Sequence, residues 1–409
     1  MSGGRALAPR RRRAFALAAA LLSTAAALVL GEVALRAGER WMRRDLPDYG
    51  DTWREGGLGP GGFLREGFSA TVVGERGGVR WHNNAQGLRY DRDLQAMPPA
   101  GAVRVLFVGD SFAAGYRTDQ QATCAHRLEV SLRARGVAAE LPIAVVEEPV
   151  TGLFWLSRHG EALRPDAVVL CLCLGNDVAQ AFAALHERGG FTLELLADGP
   201  RIERSRVADP VGFGHGLDEL ALPRAALWPD APAALRRPFR SRLVERLFGE
   251  LPRPIAPWYG RHRPHRLFDV YHGLGCFLRT PPREVEIAFE RLLRALEGWR
   301  RWCEGRGVRF AILPCPQRYQ VQPADWQAMV EGYGLVPDAF ALDLPNERLR
   351  AWCERVGVAL LDPTEGLRRK HADAGGSLYL PRGDMHWNAA GHAAAAAAVV
   401  DGLAGLLAH

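Results

Sequence analysis

Four short runs, Val103 to Val108, Leu141 to Val146, Ala167 to Leu174 and Val308 to Leu313, are almost wholly apolar. A strand with one wet face alternates apolar and polar side chains, whereas a strand covered on both faces does not. The stretches between them carry helical spacing. Leu128 and Leu132 share a face within 120–135, and Ile287, Leu292, Leu296 and Trp299 recur at helical intervals within 284–304. Asn346 to Arg355 reads as a further helix, Val358 to Leu361 as a fifth strand, and Ala389 to Leu407 as a closing Ala-rich helix. Strands alternating with helices predict an α/β domain, a parallel sheet crossed right-handedly and covered by helices on both faces.

That rhythm breaks between Val178 and Arg283, where Pro, Trp and Arg cluster without a period. The sheet is thus split by an insertion of about 105 residues after its third strand. It opens at the carboxyl end of a strand, where open α/β sheets bind ligands. The segment reads as a cap over a substrate site, or as a scaffold or docking surface. Residues 36–100 read as a linker and N-terminal extension, mostly loop, and 101–409 as the main domain.

The N-terminus has a different character. Arg10 to Arg13 precede eighteen uncharged residues, Ala14 to Gly31. As a helix this run is about 27 Å long, and extension to Leu35 completes a crossing of a hydrocarbon layer of roughly 30 Å. Residues 14–35 are therefore expected to be a transmembrane anchor in a lipid bilayer, with 1–13 a basic cytoplasmic tail and the body outside the cytoplasm. A cleaved signal peptide, with Ser23 to Ala27 offering a small-residue site, and a buried soluble helix are the alternatives. The overall charge of +6 follows the same division. Residues 1–44 carry nine Arg and two Glu, while the remainder holds 43 basic and 44 acidic residues. A near-neutral body has no basic surface to neutralise phosphates, which argues against a nucleic-acid partner.

Seven cysteines in a long chain do not announce a disulfide framework. Cys171 and Cys173 fall on one side of a strand and read as buried small hydrophobes. No Cys/His spacing suits a metal, and His262 and His265 read as a solvated loop. No cofactor and no metal are expected.

Four polar strings carry chemistry. Gly109-Asp110-Ser111-Phe112 follows the first strand, where a helix will begin; this suits an ordinary helix cap, or a nucleophile whose N–H faces an oxyanion. Gly152 follows the second strand and is a turn residue or a backbone donor. Gly175-Asn176-Asp177 follows the third, as a cap or as an amide donor. Asp384-Met385-His386 precedes the last helix; it is a polar helix start, or a base with a carboxylate to orient it. All four would meet at one edge of the sheet, which is the context an active site requires.

These four blocks resemble those of the SGNH (GDSL-type) hydrolase superfamily. The resemblance covers roughly 100–177 and 284–405 and implies a flavodoxin-like three-layer fold. It implies Ser111 as nucleophile, His386 as general base and Asp384 as its orienting carboxylate. It also implies an oxyanion hole from the N–H groups of Ser111 and Gly152 and the side chain of Asn176. The last block is Asp-x-His where the common family form is Asp-x-x-His, so Asp362, Asp373 or a Ser–His dyad stand as alternatives. Asn84-Ala85-Gln86-Gly87-Leu88-Arg89, Pro314, Gln317 and Gln320 are similar to a membrane-anchored bacterial subgroup. The expected activity is hydrolysis of an acylated glycan or small ester at the bacterial inner membrane. An O-acyltransferase with the same Ser and His, or a non-catalytic envelope scaffold, is the alternative.

Overall fold

Residues 105–108 and 167–172 are buried throughout because their strands lie inside the sheet, with helices above and below. The computed structural model describes residues 9–43, 46–47, 49–53, 62, 64–74, 77–178, 180, 191–196, 199–204, 273–333, 335–381 and 383–408. The chain divides into two units, one of which, Met1–Leu46 with Arg236–Leu251, holds the N-terminal helix α1 (Pro9–Arg43). Within α1, Phe15–Gly38 is long and apolar enough to cross a membrane, and Phe15, Leu17, Leu21, Leu22 and Val29 are exposed. It is a candidate span or signal sequence.

The other unit opens with an antiparallel hairpin, β1 (Ser69–Val73) and β2 (Gly78–His82). Then come β3 (Val103–Gly109), α2 (Ser111–Ala114), α3 (Cys124–Ala134), β4 (Ala139–Glu140), β5 (Ile143–Val145), α4 (Pro149–Trp155) and β6 (Ala167–Leu172). A second hairpin pairs β7 (Phe191–Leu196) with β8 (Gly199–Arg204). The chain continues through α5 (Arg283–Glu304), β9 (Arg309–Pro314), α6 (Arg318–Val321), α7 (Pro323–Tyr333), α8 (Leu344–Val356), β10 (Ala359–Leu360), α9 (Thr364–Ala374) and α10 (Ala389–Ala408).

The main sheet is parallel and runs β10-β9-β6-β3, with β4 and β5 both beside β3. β4 pairs with the start of β3 and β5 with its end, so the two share one edge position around Leu141 and Pro142. Counted by position in the chain, the order is flavodoxin-like, and its reversal lies between β3 and β6. Alternate side chains supply the two layers. Leu106, Val108, Val168 and Leu170 pack with Leu153 of α4, Leu292 and Trp299 of α5 and Trp352 of α8. Val105, Phe107, Val169 and Cys171 pack with Leu128 of α3, Leu367 of α9 and Val399 and Leu403 of α10. Helix α10 also has the length and hydropathy of a span, but these contacts make it a core helix.

The structure departs from the sequence expectations in three places. The second strand is broken at Leu141 and Pro142, since proline cannot donate to a ladder. Residues 120–135 are a short turn followed by α3, whose N-terminus Thr123 caps through the N–H of His126. The extension before β3 contains a hairpin that alternation in Ser69 to Val73 is too short to reveal. Most of the insertion, with His262 and His265, lies outside the described residues, which include the hairpin β7–β8. Its two roots touch: Gly273 has φ +49°, and a Cβ there would sit 1.6 Å from the carbonyl oxygen of Gly175. All seven cysteines are buried and free, and Cys171 and Cys173 belong to the same layer.

The second layer also buries His392, whose Nδ1 accepts the N–H of Cys124 at 3.2 Å. Burial first, then the charge of Arg89, pushes its pKa down to about 3. The folded protein therefore excludes a proton that the unfolded chain binds near pH 6.5. Stability from this site is complete above that pH and is lost as pH falls towards 3, at up to about 1.4 kcal/mol per pH unit. His392→Gln is expected to flatten the fall in Tm between pH 6 and 4. An unaltered slope would place the acid-sensitive proton elsewhere.

Candidate active site

β3 ends at Gly109 and α2 begins at Ser111, so the serine stands at the carboxyl edge of the sheet, beside the reversal in strand order. Asp110 caps this turn, its Oδ1 accepting the N–H of Phe112 at 2.8 Å. The Ser111 N–H belongs to the first turn of α2, where backbone donors lack carbonyl partners within the helix.

Ser111 Oγ lies 2.7 Å from Nε2 of His386, which comes from the loop before α10. On the far side of the ring, Nδ1 lies 2.6 Å from Oδ1 of Asp384. The same oxygen accepts the backbone N–H of His386 at 3.0 Å. That second bond is what a two-residue spacing requires: the carboxylate folds back over its own loop to reach the ring. Burial raises the Asp384 carboxyl pKa, but the His386 imidazole, its hydrogen bonds and the charge of Arg117 outweigh it and hold the group below the ordinary carboxylate range. An ionised Asp384 fixes the tautomer that leaves Nε2 free to accept the serine proton. The alternatives are engaged elsewhere or remote in environment. Asp362 accepts from Thr364 and Arg350, and Asp373 is exposed on α9.

Asn176 follows β6 and is buried. Its Nδ2 donates to Oδ2 of Asp110 at 3.1 Å, so Asp110 ties the asparagine to the serine turn. The cap and the site are one construction. Burial pushes the Asp110 carboxyl up, against the hydrogen bonds from Asn176 and Phe112 and the pull of His386.

Gly152 departs from its expected role as an oxyanion donor. It lies inside α4, and its N–H donates to the carbonyl of Glu148 at 2.8 Å. Its missing side chain makes room for packing: a Cβ would sit 2.7 Å from the ring of Trp299 and 3.0 Å from Val146. The N-terminus of α4 is itself occupied, because the buried Glu148 carboxylate accepts the N–H groups of Val150 and Thr151 at 2.6 Å each. Gly152→Ala is accordingly expected to lower stability by about 1–3 kcal/mol through overpacking. In the folded fraction kcat should stay within tenfold of wild type. A larger fall in kcat with unchanged Tm would restore Gly152 as a donor.

No protein-family model and no curated protein sequence matches the chain. Among solved structures it is similar to an acetyl xylan esterase at 11% identity, covering 74% of this chain and 100% of that one, with a TM-score of 0.34. It is similar to a lipolytic protein of the G-D-S-L family from Veillonella parvula at 11% identity, covering 73% and 97%, TM-score 0.35. The lipase/acylhydrolase from Enterococcus faecalis gives 11% identity, 74% and 96%, and 0.33. At scores this low the likeness carries no functional argument.

Two supports of the site are absent from the four sequence blocks. In the first, Asn84 Oδ1 accepts the N–H groups of Gln86 and Leu88 and shapes a turn that delivers Arg89. The buried Arg89 guanidinium stacks on Trp81 and donates to the carbonyls of Ala114, Gly115 and Thr118. It thereby closes α2 behind Ser111. The Asn-x-x-Gly-x-Arg stretch is thus a clamp on the serine turn. In the second, buried Arg318 donates to the carbonyls of Asp384 at 2.9 Å and Leu380 at 3.2 Å, and is held by both oxygens of Asp325. A planar, doubly held guanidinium fixes the loop that carries Asp384 and His386. Neither arginine sits at a spacing that periodicity singles out.

Proposed function

We propose that the chain is a serine ester hydrolase working through an acyl-enzyme. The observation that carries this reading is the chain of contacts Ser111 Oγ to His386 Nε2 and His386 Nδ1 to Asp384 Oδ1, at 2.7 and 2.6 Å. Ser111 attacks the ester carbonyl as His386 takes its proton, and Asp384 stabilises the imidazolium. The Ser111 N–H and the Asn176 side-chain amide are the donors to the tetrahedral oxyanion. His386 then gives its proton to the departing alkoxide. A water, deprotonated by the same imidazole, attacks the acyl-enzyme, releasing the acid and restoring Ser111.

The substrate is an O-acylated glycan or related ester of the cell envelope. The apolar helix α1 tethers the enzyme to the bacterial inner membrane, with Arg10 to Arg13 on the cytoplasmic side and the catalytic unit outside. Rapid quenching during aryl acetate turnover should trap one acetyl group on the peptide containing Ser111. Supplying an oligosaccharide separates the two fates of that group. Free acetate supports hydrolysis, whereas acetylated sugar supports transfer. An unmodified Ser111 during turnover would overturn the acyl-enzyme.

A further inference from the structure

Arg117 makes fewer polar contacts than the other arginines that pack close to the core: Arg89 shares its orphaned Nε but donates to three carbonyls. Arg104 pairs with Glu140, Arg318 with Asp325 and Arg92 with Glu129. Among the described residues, the Arg117 guanidinium makes neither ion pair nor hydrogen bond, and its Nε is buried without a partner. Such an N–H has given up water without compensation, which is costly. Its backbone is also strained, with φ +55°, a left-handed conformation unusual for a side chain of this size. Cost of both kinds at one residue points to a use.

The place is the active site. The guanidinium carbon lies 4.9 Å from the centre of the Tyr116 ring. That ring in turn lies 4.7 Å from the imidazole of His386, at an interplanar angle of 47°. The turn is pinned by Arg89 through the carbonyls of Gly115 and Thr118, so Arg117 is presented on a fixed support. The charge also reaches Asp384, as the lowered pKa of that carboxyl records. The guanidinium as a whole is only part-buried, so a cation without a counter-ion, one ring away from the general base, keeps its outer N–H groups for an oxyanion that arrives with the substrate.

We propose that Arg117 binds an anionic oxygen group, a carboxylate or a phosphate, carried by the ester substrate next to its scissile bond. The inference rests on the hydrolase reading and narrows it. The substrate class is an acylated acidic sugar or sugar phosphate, and Arg117 is a binding residue that selects it over neutral esters.

The test uses the full chain in detergent. Acetylated methyl glucuronoside is compared with its uncharged methyl ester, and acetylated glucose 6-phosphate with acetylated glucose. Wild type is expected to favour at least one anion by about 10- to 100-fold in kcat/KM, the scale of a charge-assisted hydrogen bond. Arg117→Gln should erase that preference and Arg117→Lys should keep part of it. Arg117→Gly should also erase it without lowering Tm, because glycine relieves the left-handed backbone. The two anions distinguish a uronate from a phosphate source. Equal rates on charged and neutral esters, or a preference surviving both Arg117→Gln and Arg117→Gly, would overturn the proposal. Binding is read separately by ligand-observed NMR on the Ser111→Ala chain. Glucuronate or glucose 6-phosphate should bind in preference to glucose, and the added Arg117→Gln should abolish this. If no ester is hydrolysed but the anion still binds through Arg117, the hydrolase reading fails and the anion site stands. If esters are hydrolysed but no anion depends on Arg117, the reverse holds.

Discussion

Ser111→Ala is expected to reduce ester turnover by about 10⁴- to 10⁶-fold while leaving the protein folded. The two halves of that expectation have separate causes. The loss follows because, among the described residues, no other hydroxyl stands at hydrogen-bond distance from His386 Nε2 in place of the Ser111 oxygen at 2.7 Å. Retention of the fold follows because the turn does not depend on that oxygen. Asp110 caps it through Phe112, and Arg89 closes its far end through the carbonyls of Gly115 and Thr118. One side-chain hydrogen bond is removed, worth about 1 kcal/mol net. Steady-state turnover of an aryl acetate and a thermal melt check the two parts. Turnover above about a hundredth of wild type would remove Ser111 as nucleophile.

Asp384→Asn should be the second largest effect, a fall in kcat of about 10³- to 10⁴-fold. In wild type one carboxylate oxygen accepts both the backbone N–H and the ring Nδ1–H of His386. An amide has no charge to stabilise an imidazolium. If its NH₂ faces the ring, the proton shifts to Nε2 and the imidazole can no longer accept from Ser111. The carboxyl pKa is held down by His386 and Arg117 against the effect of burial, so it stays ionised below the ordinary carboxylate range. Its stabilising contribution is present above the unfolded pKa and is lost only as pH falls through the lower folded value. A kcat for Asp384→Asn within tenfold of wild type would mean that another group orients the ring. Arg318 offers a milder check on the same loop, since it holds the Asp384 carbonyl and not the carboxylate.

The sheet was legible because burial on both faces leaves an unmistakable apolar run, as at Ala167 to Leu172. Ser111, Asn176, Asp384 and His386 stood out as candidates because each closes a strand or opens a helix, where polar residues contrast with apolar neighbours, and the structure places Ser111, His386 and Asp384 in one chain of contacts. Gly152 looked like a member of that set, but a glycine that admits a Trp299 ring and one that offers its N–H are indistinguishable as letters. Arg89 stood out only as part of a resemblance and Arg318 not at all, because their roles lie in bonds to carbonyls far along the chain, which no local pattern records. Arg117 escaped for a related reason: a left-handed arginine reads like any other until its φ is known.

The contact between Gly175 and Gly273 bears on how such a chain could change over time. Because the long segment departs and returns through one narrow doorway, its closure imposes almost no stretch on the sheet, and closure entropy grows only slowly with length. The segment is then a cassette: it can lengthen, shorten or be exchanged while the serine and histidine keep their distance. Insertion and deletion between these two glycines leave the sheet that carries Ser111 and Asn176 unstretched.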